Sequence, residues 1–345
     1  MFYKIKSLHS IGYKIKLHCF EYGKGTQKEL EKYCNEIFYY KRNFSVFKFF
    51  SHLPFIVASR NSNKLLKNLC EDNAPIIFEG HHSSYFLKNK LLERRNKIVR
   101  THNIESNYYN NLSKIEDNLL KKIYFFIEAK KLKKFDKDLS SSTHIAAITN
   151  NDKKYYSSFN KNVSTISAFH PFKKITSSCG KGKFILYHGN LGVAENNNAA
   201  LYLVKEIFSD LEEQLIIIGN NVSKKLIKAC KQNRTKLIIE NDTKIIHQYI
   251  KKAHINILPT FQSTGLKLKL LAALYMGRFC LVNNQMVAQT GLEKACVICN
   301  STNEFKVSIK KLMKKEFLEN EINNRKKILN PFSNKKSLEK LIKIL

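Results

Sequence analysis

Acidic residues are scarce in this chain. Against 60 Lys and Arg stand 28 Asp and Glu, a formal net charge of +32. A field of that size favours anionic partners: nucleic acid, anionic lipid or a nucleotide-linked substrate. No concentrated basic tail and no aromatic-basic single-strand motif accompanies the charge, so no specific nucleic-acid partner is expected. The joint abundance of Lys, Asn and Ile also fits compositional drift, which needs no partner. Long apolar runs are missing too. None reaches the roughly 18 to 20 residues that cross a bilayer. Met1 leads into FYKIKSLHSIGYKIKLHC, which lacks the apolar centre of a secretory signal. A cytoplasmic chain is therefore expected, held by its basic surface in peripheral contact with the anionic inner face of a membrane. Paired cysteine motifs are also wanting. The eight cysteines are dispersed in apolar contexts, which suits a reducing compartment. Cys296 and Cys299 form a CxxC, but inside the strand-like ACVIC and without a second Cys or His pair, which favours buried thiols over zinc or redox chemistry.

What is present points to an α/β chain. At 345 residues with 43% hydrophobic content, two domains of roughly 150 residues each are the natural expectation. Strand patterns at 13–20, 36–40, 76–79, 97–101, 144–149 and 164–168 alternate with helical stretches, including a long one at 110–138. A polar, glycine-bearing segment, 169–183, reads as a linker. Alternation then restarts, with strands expected at 183–187, 214–218, 236–240, 255–258, 279–282 and 297–299, and helices at 198–208, 224–230, 244–253 and 304–314. The expected domains are 1–172 and 173–330, with a last helix, 331–345, returning toward the first. A doubly wound domain normally opens on a strand. Here a helix-like segment, residues 3–9, comes first, so the N-terminal sheet is expected to lack its first, central strand.

The densest signal is residues 257–283, ILPTFQSTGLKLKLLAALYMGRFCLVN. It reads as strand, small-residue loop, helix, glycine, strand. Free amides at a helix N-terminus, a permissive Gly265 and two lysines, Lys267 and Lys269, make a seat for phosphates. The plainer reading is an ordinary βαβ unit with solvated lysines. In a regular first turn the two lysines, at i and i+2, point to different faces, so only one is expected to meet the ligand.

The order of segments resembles the retaining GT-B glycosyltransferases of the family 4 type, with two Rossmann-like domains facing a cleft. Four stretches carry the resemblance: IVRTHNIESNYYNNL (98–112), HIAAITNNDKKYY (144–156), FILYHGNLGVAENNNAALYLV (184–204) and LPTFQSTGLKLKLLAALYMG (258–277). The resemblance implies transfer of a hexose, such as mannose, from a nucleotide-sugar donor to a hydroxyl of a glycan or lipid-linked acceptor. It implies no cofactor and no tightly bound metal, because basic side chains and helix dipoles offset the diphosphate charge. Many relatives carry a Glu-x7-Glu pair around the donor; the matching positions here are Thr264 and Ala272. With that pair gone and the first strand wanting, a noncatalytic relative that binds nucleotide or glycan is the other reading.

On this resemblance His102 matches a cleft histidine near the transferred sugar; a structural histidine is the alternative. Glu79, His81 and Asn103 belong to the same sheet edge and are the acceptor-side candidates. On the donor side stand Gly189 and Asn190, in a loop that lets backbone approach a ligand, then Thr264, Gly265, Lys267 and Lys269. Glu293 is the carboxylate nearest in sequence that could reach a donor ribose, though a solvated loop residue is the plainer reading. Asn196 to Asn198 and Glu105 read as helix caps.

Overall fold

The computed structural model describes every residue except Lys24, Asp117, Arg234, Ser263 and Thr264. The chain forms two compact units, Met1–Pro171 with Pro331–Leu345, and Phe172–Asn330. Both are α/β with parallel strands.

Among the described residues the first unit holds six strands: β1 (Lys16–Phe20), β2 (Glu36–Tyr40), β3 (Ile76–Glu79), β4 (Lys97–Arg100), β5 (His144–Ala147) and β6 (Val163–Thr165). β3 to β6 make one parallel sheet in sequence order, and β1 pairs with β2 in a separate parallel sheet. Its helices include α1 (Phe2–His9), α2 (Glu105–Ile115) and α3 (Leu119–Phe135). The helical stretch expected at 110–138 is thus two helices, because Asn118 turns the chain and its side chain accepts the Lys121 N–H at 3.1 Å to start α3. The last helix, Asn334–Ile342, sets Leu341 against Leu8 of α1 and against Ile98, Ala146 and Ile166. Each leucine or isoleucine among them stabilises the unit by roughly 1.5–3 kcal/mol on full burial. Arg100 ends β4 and is buried. Its guanidinium donates to the carbonyls of Ile166 at 2.6 Å and Ser167 at 2.9 Å, tying β4 to the chain leaving β6. Burial holds it down at about 10.

The second unit is one six-stranded parallel sheet of β7 (Ile185–His188), β8 (Leu215–Gly219), β9 (Lys236–Ile239), β10 (Ile255–Ile257), β11 (Phe279–Val282) and β12 (Val297–Ile298), in the order β12-β11-β10-β7-β8-β9. The inner strands β7, β8, β10 and β11 are buried along their whole length, while edge strands β9 and β12 are not. Near-continuous apolar runs such as LIIIG follow from burial on both faces. The chain builds outward from β7 to β9, then crosses back to β10 and builds the other way. The direction therefore reverses between β7 and β10, and the loops leaving their carboxyl ends part there. Two helices start beside that point, α4 (Ala194–Tyr202) and α5 (Leu268–Met276). Helix α4 begins four residues before the expected 198 and runs into a π-helical turn, Leu203–Ile207.

The loop after β7 rests on the end of β8. A Cβ on Gly219 would lie 2.0 Å from the Gly189 carbonyl oxygen, so backbone meets backbone and neither can yield. Gly219→Ala is expected to destabilise the second unit by about 1–3 kcal/mol, read as a lower urea midpoint with unchanged slope.

Candidate functional site

At the carboxyl ends of β7 and β10 the charged side chains of the second unit converge. Lys269 lies in the first turn of α5. Its ammonium donates to Asn196 Oδ1 at 2.8 Å and lies 5.1 Å from the Tyr187 ring centroid. Lys267 precedes the helix as its N-cap residue, with φ −85° and ψ 116°. That extended backbone swings its ammonium to the Gln262 carbonyl at 2.8 Å and within 3.9 Å of the Glu195 carboxylate. The expectation that the lysines diverge rested on a regular helix through both positions; the helix starts one residue too late for it. Both ammonium groups are half-buried and largely withdrawn from water, and both feel the charge of Glu195.

Glu195 sits in the first turn of α4, where a carboxylate is favoured by the helix dipole. It accepts the Thr260 hydroxyl. Thr260 follows β10 and is fixed by Asn283, which follows β11: its N–H donates to Asn283 Oδ1 at 3.0 Å, and Asn283 Nδ2 donates to its carbonyl at 2.6 Å. Burial, with help from Lys267 and against Glu195, brings Lys269 down to about 8. His188, the last residue of β7, is buried and held neutral. Burial, Lys269 and His247 bring it down to about 3, and its Nε2 has no partner among the described residues.

The other donor-side candidates take the following places. Asn190 turns its side chain on its own loop, Oδ1 accepting the Gly192 N–H at 3.0 Å, so it closes a turn. Gly189 gives its N–H to Ile218 at 3.2 Å and leaves room for Asn196. Asn196 lies inside α4 and does not cap it; it receives Lys269 and donates to the Asn190 carbonyl at 3.0 Å. Glu293 opens a short 3-10 turn, and the carboxylate that meets the lysines is Glu195. Thr264 lies outside the described residues, and Ala272 is buried in α5. Gly265 has φ +67°, a left-handed conformation that a side chain would strain.

In the first unit, β3 and β4 end side by side, Glu79 opposite Arg100. Glu79 takes the Lys4 ammonium from α1 on one oxygen and His102 Nε2, at 3.1 Å, on the other. Burial works against ionisation of Glu79, but Lys4 and His102 outweigh it and hold the carboxyl well below its usual range. Burial lowers the Lys4 ammonium even with Glu79 beside it. His102 is the partly exposed end of this chain of charges.

His81 is not acceptor-side. It is fully buried, its Nε2 2.8 Å from Asp136 and 3.3 Å from the Tyr156 hydroxyl. The Tyr156 hydroxyl donates to the Asn103 carbonyl at 2.8 Å, so this buried network holds the backbone from which His102 projects. His82 is the histidine that approaches His102, with ring centroids 6.2 Å apart. Asn103 contacts Glu105, the first residue of α2, which Ile104 and not Glu105 caps.

Residues 182–315 match the family model of the group 1 glycosyl transferases. A 44.6 kDa protein of the cps region of Klebsiella pneumoniae is 27% identical over 292 residues, covering 79% of this chain and 74% of that protein. Among solved structures, Anabaena HepE, in complex with UDP and glucose, superposes with a TM-score of 0.64 at 10% identity, over 95% of this chain and 98% of HepE. TarM superposes with a TM-score of 0.59 at 13% identity; the match covers 84% of this chain but only 57% of TarM. The chain has the α/β fold of the GT-B glycosyltransferases.

Lys4 is expected to be a keystone. Lys4→Met leaves the half-buried Glu79 with one partner fewer, which costs up to about 3 kcal/mol, the low end of the range for a fully buried pair. In the native chain Glu79 is depressed, so its contribution is present above the ordinary carboxylate range and lost as pH falls through its folded value. In the variant, burial raises the carboxyl, and acid relieves the strain by protonating it. Urea unfolding should therefore show the gap between the two proteins widest near neutrality, narrowing as pH falls into the carboxylate range and lost only below it.

Proposed function

We propose that this chain is a glycosyltransferase that moves a hexose from a nucleotide-sugar donor to a hydroxyl of a glycan or lipid-linked acceptor. The observation that carries the reading is the convergence of Lys267, Lys269 and Glu195 where strand order reverses between β7 and β10. The family match over 182–315 and the UDP in the HepE complex support the same side of the reaction.

Breaking the bond between sugar and nucleotide leaves negative charge on the departing diphosphate and positive charge on the sugar carbon. Two half-buried ammonium groups beside the N-terminal amides of α5 suit the first. The Glu195 carboxylate, at the mouth of the same loops, suits the hydroxyls of ribose or sugar, a role the absent acidic pair would otherwise fill. His102, oriented by Glu79, is the group of the first unit assigned to positioning the sugar or relaying the acceptor proton.

Uridine diphosphate titrated by calorimetry tests the donor side. Lys267→Ala and Lys269→Ala should each weaken binding by roughly tenfold to a hundredfold, since a charge-assisted contact to phosphate contributes about 1.5–3 kcal/mol. The variants should keep the native unfolding midpoint to within a degree or so. Unchanged affinity in both would remove the donor site from this place. Because the protonated amine binds the anion, affinity in the native chain should fall as pH rises through about 8, and that inflection should vanish in Lys269→Ala.

His102→Ala should act differently. It lies in the first unit, so UDP affinity should hold while donor turnover with an acceptor drops by roughly a hundredfold. Equal turnover would return His102 to a structural role.

A further inference from the structure

The first unit exposes large apolar side chains in two neighbouring segments. Around the 3-10 turn Val46–Lys48, Phe47 and Phe50 are 85% and 84% exposed, with Phe44 and Val46 also on the surface. On α3, Leu119, Leu120, Ile123, Phe126 and Ile127 are exposed, while Glu128, Ala129, Leu132 and Phe135 turn inward. Helix α3 is therefore apolar on two opposite faces, and one of them is unpartnered. The segments are joined: the Phe49 ring stacks on Phe55 at 3.9 Å and meets Tyr124 at 6.0 Å, and Lys131 donates to the Phe49 carbonyl at 2.6 Å. Successive residues of a helix are turned by about 100°, which puts Tyr124 and Lys131 next to Leu120 and Ile127 on the wheel. The loop thus flanks the outward apolar stripe, and contiguous exposed apolar side chains of this kind mark a contact site.

The charge around it selects the occupant. Residues 41–50 and 118–135 contain nine Lys and Arg and a single acid, Glu128. That carboxylate is buried, accepting the Phe55 N–H at 2.8 Å. Lys130 lies 4.4 Å from the Phe126 ring centroid and Arg42 4.6 Å from that of Phe44, so cationic heads sit over the aromatic side chains they border. Apolar tips below a collar of cations match a bilayer, whose anionic headgroups lie above its acyl chains. A second copy would bring the same positive charge to the same face and be repelled.

We propose that this face of the first unit, residues 44–50 with the outer stripe of α3, docks on an anionic lipid bilayer, with Phe47 and Phe50 entering the headgroup boundary and the α3 lysines meeting the lipid charge. The inference uses this surface alone and does not rest on the transferase reading, so either can fail without the other.

The full chain is floated with vesicles of phosphatidylcholine containing about one third phosphatidylglycerol, and with vesicles of phosphatidylcholine alone. Binding is expected on the anionic vesicles and weak on the neutral ones. The double variant Phe47→Ser/Phe50→Ser, with both sites exposed, should fold normally and lose at least about tenfold in partition. Lys130→Glu/Lys133→Glu/Lys134→Glu should lose a similar factor. Lys228→Glu/Lys231→Glu on the second unit is the control and should bind as the native chain does. Three results overturn the proposal: no binding to anionic vesicles; equal binding by the native chain and the Phe47/Phe50 variant, which means diffuse charge adsorption; or a dimer in sedimentation that those two substitutions dissolve, which gives the face to a second copy.

Discussion

Parallel strands send all their carboxyl ends to one edge, and in the second unit that edge is split where strand order reverses between β7 and β10. The rest of the candidate donor site depends on this split. It lets two helices from distant parts of the chain, α4 and α5, start side by side, so that the carboxylate of one meets the lysines of the other. It also sets the chemistry of the neighbours. The loops are held at the ends of adjacent strands, where Asn283 bonds Thr260 and the bare Gly219 lets the Gly189 backbone pack close, and the charged groups stand on a rigid base.

Burial of charge is the second shared theme. At Glu79 and at Lys269 desolvation opposes ionisation, and the outcome is decided by what stands opposite. Glu79 has the Lys4 ammonium and the His102 ring beside it and stays ionised. Lys269 has one carboxylate, a second lysine and an aromatic ring, and its affinity for the proton drops. The first arrangement suits an orienting role, in which a fixed charge aims His102. The second suits a group that gains when an anion arrives, since a diphosphate brings the counter-charge that Glu195 supplies only in part.

Much of the fold was legible in sequence because parallel, doubly covered strands write themselves as apolar runs: LIIIG at β8, FCLV at β11 and ILYH at β7 all stand within two residues of where periodicity puts them. Helix starts were harder. Asn196 to Asn198 look like caps, yet the dipole end lies at Ala194, where Glu195 is the residue that gains. The site itself was half legible. Lys267 and Lys269 stood out through their place after Gly265. Glu195, Thr260 and Lys4 did not, because each acquires its meaning from a partner far away in the chain, Lys4 from Glu79 and Glu195 from Lys267. A Glu beside three asparagines and a Lys in the first helix carry no local pattern that announces such partners. His81 misled for the converse reason: adjacent histidines read alike, and only the buried Asp136 shows which one faces inward.

The central position of β7 also governs how the second unit assembles. On one side β7 pairs with β8, Ile185 beside Leu215, through a single crossover; on the other it pairs with β10, Ile185 beside Ile255, after β8, β9 and their helices have intervened. Loop closure is costlier for the second pairing, so the half-sheet β7-β8-β9 can condense from near contacts while the β7–β10 seam waits for the rest of the chain. The lysines and Glu195 straddle that seam. A nucleotide bound across it would tie the last-formed contact of the unit and shift the folding equilibrium toward the closed sheet by mass action.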